Sequence, residues 1–306
     1  MPRLGPEVTL SSLQSSSDIP LLRFLNAVVE LTKFRIAVAS TLSAVTGYLV
    51  FSRTVGLGLV TTFLGVLLLA MGACALNQFQ DRDIDARMER TRRRPIPAGV
   101  VKPITALAIA AFLIAGGFLL LCLVHSTAAA LIGLLAGAWY NGVYTYLKRV
   151  WAFAVVPGAL IGALPPAIGW TAGGGEPLDP HVLALCFFFF IWQVPHFWLL
   201  LFGFGNDYRK AGLPSLTELF SPHRLASLTF IWMLATAASS LLLPVYRLTS
   251  SSWVSLGLVA CGLWLGWEAT RLLRGSFQLR SLRLAFRSIN LYALCVMALL
   301  VADALL

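Results

Sequence analysis

The sequence predicts an all-α polytopic membrane protein, a single bundle of nine transmembrane helices. Three observations lead there. The chain has 306 residues and is 58% hydrophobic. Only 12% of it is charged, roughly half of what a soluble domain carries. Its basic residues gather in alternate connections between apolar runs.

A bilayer span needs about 20 mostly apolar residues. Nine stretches qualify, over roughly 31–51, 56–76, 103–124, 127–146, 152–172, 182–204, 225–246, 253–273 and 285–306. The fifth holds Pro157, Pro165 and Pro166 among Gly158, Gly162 and Gly169, which predicts a kinked, closely packed helix. With these spans, all but two of the 23 basic residues fall on one face. Only Arg53 and Arg247 lie on the other. The excess of Lys and Arg on cytoplasmic loops then places the N-terminus in the cytoplasm and the C-terminus outside. It also accounts for the net charge of +10 without nucleic acid as a partner.

Residues 1–23 read as a polar tail, and 24–306 as one transmembrane domain. The tail shows no charged, then apolar, then cleavable pattern of a secretory signal. Its Glu7 and Asp18 argue against a mitochondrial presequence, so a bacterial inner (cytoplasmic) membrane is expected. Cys74, Cys122, Cys186, Cys261 and Cys295 lie in apolar runs without metal-site spacing and read as small buried hydrophobes.

Three polar segments fall at the cytoplasmic face. In the first, Asn77, Asp81 and Asp85 stand four residues apart, where the second span ends. Each such step turns a helix about 400°, so the side chains form one stripe. Two carboxylates and an amide make a hard-cation site suited to magnesium, which would still bind phosphate oxygens. Arg90, Arg93 and Arg94 follow within a basic run, as a polyphosphate ligand would require. Asp83 points from another face of the helix. The competing reading of the arginines is a topology signal facing anionic lipid.

The second segment is Tyr144-x-x-x-Lys148, one helical turn apart, able to hydrogen-bond and charge-pair with phosphate. Its plainer reading is an interfacial tyrosine beside a snorkelling lysine. The third runs Trp192-Gln193-Val194-Pro195-His196-Phe197-Trp198, with Asp207-Tyr208 beyond. Two indoles, an amide and an imidazole suit a large flat ligand. His196 can ligate a haem iron, act as a base or donate a hydrogen bond, whereas a belt of interface aromatics around one packed histidine is the rival. His125, His181 and His223 lack such neighbours and receive no role. No Gly-x-x-x-x-Gly-Lys-Ser/Thr loop, Gly-x-Ser-x-Gly element or Cys-x-x-Cys-His site occurs, which argues against ATP-driven transport, that serine chemistry and covalent haem attachment.

Taken together, these residues resemble the UbiA superfamily of intramembrane prenyltransferases. Asn77-x-x-x-Asp81-x-x-x-Asp85 is similar to its first Asp-rich motif and Tyr144-x-x-x-Lys148 to its basic motif. The run from Asn77 to Gly99, the segment Gly162-Ala-Leu-Pro-Pro166 and Trp192 to Trp198 resemble its protohaem-farnesylating branch. The superfamily's second Asp-x-x-x-Asp is incomplete here, since Ala211 follows Asp207 by four.

The resemblance implies farnesyl diphosphate and haem B as substrates and Mg2+ as cofactor. Asn77, Asp81 and Asp85 would hold the metal, Arg90, Arg93, Arg94, Tyr144 and Lys148 the diphosphate, and His196, Trp192 and Gln193 the haem. Asp207 and Asp83 are accessory candidates. Contact with haem A synthase or oxidase assembly factors follows from the resemblance alone. Two rivals are a family member that prenylates an aromatic quinone or chlorophyll precursor, and a non-catalytic transporter or haem-handling protein. A transporter would distribute polar groups through the bilayer midplane, whereas here they collect at one face.

Overall fold

A computed structural model describes residues 20–274 and 279–306. The polar tail expected over 1–23 lies outside the described residues except for its last four, which open a helix. Among the described residues all regular structure is helical.

The chain begins with α1 (Pro20–Leu31), α2 (Phe34–Ser52), α3 (Leu57–Asp85) and α4 (Pro103–Val124). Next come α5 (Thr127–Ala138), a π-helical turn (Trp139–Tyr144) and α6 (Thr145–Leu147). Then follow α7 (Val155–Gly158), α8 (Leu160–Ala172), α9 (Pro180–Phe202), α10 (Gly205–Lys210) and α11 (Leu216–Leu219). The chain closes with α12 (Pro222–Ser240), α13 (Leu242–Val245), α14 (Ser252–Arg274) and α15 (Leu279–Leu305).

Seven helices are long and apolar enough to cross a membrane: α2, α3, α4, α7 with α8, α9, α12 with α13, and α15. The two other predicted spans also fall on helix. The span over 127–146 is divided by the π-helical turn, and α5 alone has 12 residues. The span over 253–273 is α14, where Glu268 and Arg271 dilute the apolar run.

Local chemistry explains the boundaries. Lys33, at φ 47, adopts a left-handed conformation that ends α1 and turns the chain into α2. Gln78 satisfies the end of α1 by donating to the carbonyls of Glu30 and Leu31 at 2.8 and 3.0 Å. The kink expected from Pro157, Pro165 and Pro166 is a break at Ala159, two residues beyond Pro157, whereas α8 runs through Pro165 and Pro166 and α9 through Pro195 uninterrupted. All five cysteines are free thiols.

Two apolar cores hold the bundle. One joins α9, α12, α14 and α15 around Phe188, Met233, Leu258 and Tyr292. The other joins α2, α3, α5 and α8 around Ala44, Leu69, Ala130 and Ile168. Between α2 and α8 the backbones nearly touch, and glycine is required on both sides. A Cβ on Gly47 would overlap the Pro166 carbonyl, and one on Gly169 the Ala44 carbonyl.

The end of the bundle away from the acidic stripe is fastened by polar groups. His125 Nδ1 donates to the Ala172 carbonyl at 3.0 Å, and Nε2 accepts from Thr61 at 2.9 Å. Asp303 is only 3% exposed and accepts from the backbone N–H groups of Ser250 and Ser251 at 2.7 and 2.8 Å. It ties the end of α15 to the turn before α14. Asp303→Ala removes a buried charged acceptor from two part-buried backbone donors and should cost about 1.5–3 kcal/mol. A fall in the melting temperature of the detergent-purified protein, with substrate binding retained, is the expected result.

Candidate active site at the end of α3

The last turns of α3 carry Asn77, Asp81 and Asp85, buried to 2%, 4% and 2% exposure. A buried carboxylate persists as an ion only when paired. Asp81 is held by Lys148 through Oδ2 and by Arg149 Nη2 through Oδ1 at 3.2 Å. Asp85 takes both its bonds from Arg94 Nη1, at 2.8 and 2.7 Å. Lys33 Nζ donates to Asn77 Oδ1 at 2.8 Å and approaches the Tyr140 hydroxyl at 3.3 Å.

The π-helical turn shapes this cage. Wide turns of this kind often occur at functional sites. Thr145 closes this one by donating from Oγ1 to the Tyr140 carbonyl at 2.9 Å. The same hydroxyl accepts from Asn77 Nδ2 at 3.0 Å, while Nδ2 also reaches Asp81 Oδ2 at 2.9 Å. The amide is therefore oriented, with its oxygen turned to Lys33.

Two carboxylates thus face four basic side chains, Lys33, Arg94, Lys148 and Arg149. Arg90 adds a fifth at the rim, its guanidinium 4.6 Å from the Phe204 ring. Burial pulls Arg90 below the ordinary guanidinium value, yet an arginine stays charged at neutral pH. Burial pushes the nearby Tyr208 hydroxyl above its usual value, so it remains a donor. The surplus of positive charge calls for an anion, and a diphosphate supplies it.

The donor set also fits a magnesium ion. Every donor is oxygen, and two carboxylates with one amide leave coordination positions for water and phosphate. Among the described residues no group of three His, Cys, Asp or Glu forms an all-protein cage. Magnesium commonly dispenses with one when substrate phosphates complete its shell.

An aromatic wall leads away from the cage. Lys148 Nζ lies 5.8 Å from the Tyr144 ring, which stacks on Tyr140 at 6.1 Å. Tyr144 is 6.3 Å from Phe197, and Phe197 meets His196 edge-on at 5.5 Å. Trp192 packs on His196 at 4.7 Å. Two glycines one turn apart make room: a Cβ on Gly158 would strike the Tyr144 ring, and one on Gly162 the Gln193 carboxamide.

The predicted residues separate accordingly. Asn77, Asp81, Asp85, Arg94, Tyr144 and Lys148 are brought together, and Trp192, Gln193 and His196 lie along the wall. Arg90 and Asp207 stand at the rim. Asp83 is not brought in: its side chain is 77% exposed, with only a 3.8 Å approach from Arg82. Arg93 is exposed as well. Four participants escaped sequence reasoning: Lys33, Tyr140, Thr145 and Arg149. Arg149 adjoins Lys148 in sequence and Lys33 opens the first span, so sequence position marks both only as topology charges.

A family model described as the UbiA prenyltransferase family matches residues 37–290. The chain belongs to that family. The protoheme IX farnesyltransferase of Oleidesulfovibrio alaskensis is 36% identical over 281 residues, covering 92% of this chain and 97% of the relative. That of Geobacter sulfurreducens is 42% identical over 214 residues, covering 70% and 79%. A solved UbiA homologue from Archaeoglobus fulgidus, bound to GPP and Mg2+, shares the fold with a TM-score of 0.67. It is 16% identical, over 89% of this chain and 99% of that one. Like its relatives, this UbiA-family prenyltransferase is a multi-pass membrane protein.

Proposed function

We propose that this chain transfers the farnesyl group of farnesyl diphosphate to a vinyl group of haem B, giving haem O. The observation that carries the proposal is the buried Asn77-Asp81-Asp85 ladder, enclosed by more basic groups than it can neutralise, with an aromatic wall leading to His196. The curated relatives named for this reaction supply the choice of acceptor.

Magnesium, held by Asn77, Asp81 and Asp85, would neutralise the diphosphate and strengthen it as a leaving group. The protein's own residues do the rest. Arg90, Arg94, Tyr144 and Lys148 bind the diphosphate, the exposed Arg93 being left outside, and the structure adds Lys33 and Arg149 as candidates. These cations stabilise charge as the allylic C–O bond breaks, the form of stabilisation that most lowers such barriers. The farnesyl C1 then bonds to the terminal vinyl carbon. Water adds to the adjacent carbon and gives up a proton, leaving a hydroxyethylfarnesyl group. Apolar helices hold the isoprenoid tail and keep bulk water from the cation. His196, Trp192 and Gln193 face the haem, and Asp207 assists at the rim.

The reading includes nine membrane crossings in a bacterial inner membrane, with residues 24–306 as one domain after a polar tail. The N-terminus lies inside and the C-terminus outside. In this arrangement the diphosphate enters from the cytoplasm, and haem A synthase or oxidase assembly factors can meet the product at the membrane. The test is mass spectrometry of haem from membranes that lack their own haem O synthase and express this chain. Farnesylated haem is expected. Prenylation of an aromatic acid with haem B unchanged would contradict the assignment.

A further inference from the structure

We propose that Asn290 is a positioning residue that fixes the tautomer of His196 and leaves its Nε2 as the electron-pair donor to the haem iron. The inference rests on the reading that His196 faces the haem substrate. It concerns a residue 94 positions away in sequence.

The argument begins with a carbonyl. Asn290 Nδ2 lies 2.5 Å from the backbone oxygen of Phe286. A backbone carbonyl only accepts hydrogen bonds. Reversing the carboxamide would set two oxygens against each other, so the amide nitrogen must face Phe286. The amide oxygen then faces His196, whose Nδ1 lies 2.7 Å from Asn290 Oδ1. An amide oxygen is likewise only an acceptor. The proton of the neutral ring therefore sits on Nδ1, and Nε2 carries the lone pair.

The surroundings keep that lone pair uncommitted. The nearby indole of Trp192 spends its N–H on the Ile289 carbonyl, at 2.9 Å. Nε2 makes no hydrogen bond to a described residue, and it is not among the sealed polar atoms that lack a partner. Phe286 and Trp192 flank the imidazole at 5.1 and 4.7 Å between ring centroids and restrict its rotation. A ring that is oriented, protonated at one nitrogen and free at the other is the usual state of a metal-ligating histidine, whose second N–H donates to a fixed oxygen. The His196–Asn290 and Trp192–Ile289 bonds also fasten α9 to α15. A purely structural role would need the bonds but not the free nitrogen.

The test is a titration of the detergent-purified full-length protein with ferric haem B, followed through the Soret band. Binding of farnesyl thiodiphosphate serves as the control for an intact diphosphate site. Wild type should show the shift of an imidazole-ligated haem, and His196→Ala should lose it. Asn290→Ala should weaken haem binding about 10- to 100-fold while leaving thiodiphosphate binding unchanged. Asn290→Asp retains an acceptor oxygen toward Nδ1 but turns its other oxygen against the Phe286 carbonyl, so it should restore part of the affinity that Asn290→Ala loses.

Two outcomes separate the possible failures. An unchanged spectrum and affinity in His196→Ala would overturn the haem-facing reading. Loss in His196→Ala with wild-type behaviour in Asn290→Ala would overturn the positioning role alone. Should Asn290→Ala not fold, the ferrous iron–histidine stretching frequency decides between the two. A carboxylate accepting from Nδ1 makes the ring more basic, so Asn290→Asp should raise that frequency. An unmoved frequency would overturn the proposal.

Discussion

Asp81→Asn should lower kcat for prenyl transfer by about 10²- to 10³-fold, the range seen when one preorganised electrostatic contact is removed. The effect is large because Asp81 alone pairs with both Lys148 and Arg149. Removing one member of a buried ion pair typically costs about 3–5 kcal/mol, because its partners are left uncompensated. Asn keeps the volume but not the charge, so a metal would lose a carboxylate. The two released cations remain free to meet a phosphate, however. KM for the prenyl diphosphate should therefore rise far less than kcat falls. Steady-state kinetics at saturating magnesium give the split. A KM effect with kcat unchanged would mean that Asp81 contributes uniform binding only.

The second large effect is on folding. Gly169→Ala places a methyl group into the Ala44 carbonyl and against the Tyr48 backbone nitrogen. Backbone atoms on a neighbouring helix cannot swing aside as a side chain can, so α2 and α8 must separate. Overpacking of a tight interior typically costs about 1–3 kcal/mol, and this site should reach the top of that range or exceed it. Those two helices also carry the chain to Lys33 on one side and to Gly158 and Gly162 on the other, so activity should fall with stability. Gly137→Ala is the control, because a Cβ there meets nothing within 4 Å. Thermal unfolding in detergent should show a clear drop for Gly169→Ala and essentially none for Gly137→Ala.

What the sequence disclosed follows from which interactions are local. Apolar runs and cation placement anticipated a helical membrane bundle, because both are set within a single segment. Pro157 anticipated a break in the fifth span, found at Ala159, but Pro165 and Pro166 are carried inside the unbroken α8. Helical spacing correctly joined Asn77, Asp81 and Asp85 and set Asp83 apart, since one helix fixes all four. The partners of that stripe were less legible. Lys33 reaches Asn77 across 44 residues and Arg149 reaches Asp81 across 68, so no spacing rule connects them. Arg93 belongs to the same basic run as Arg94, but only the fold of the loop decides which guanidinium turns inward. The π-helical turn had no compositional sign, being stabilised partly by Thr145 bonding back five residues. Asn290 and Asp303 sit in the apolar last helix, and their roles exist only once α15 meets α9 and the turn before α14.

The central claim is that the end of α3 captures a metal-bound diphosphate. Its most direct measurement is binding of farnesyl thiodiphosphate, a non-ionising analogue, with Mg2+ and then with EDTA. The comparison is between wild type and an Asp81→Asn, Asp85→Asn double variant. Magnesium should tighten binding to wild type at least about tenfold, a difference of about 1.4 kcal/mol. In the double variant the magnesium effect should vanish while metal-free binding to the liberated cations persists. An equal magnesium effect in both proteins would contradict the account.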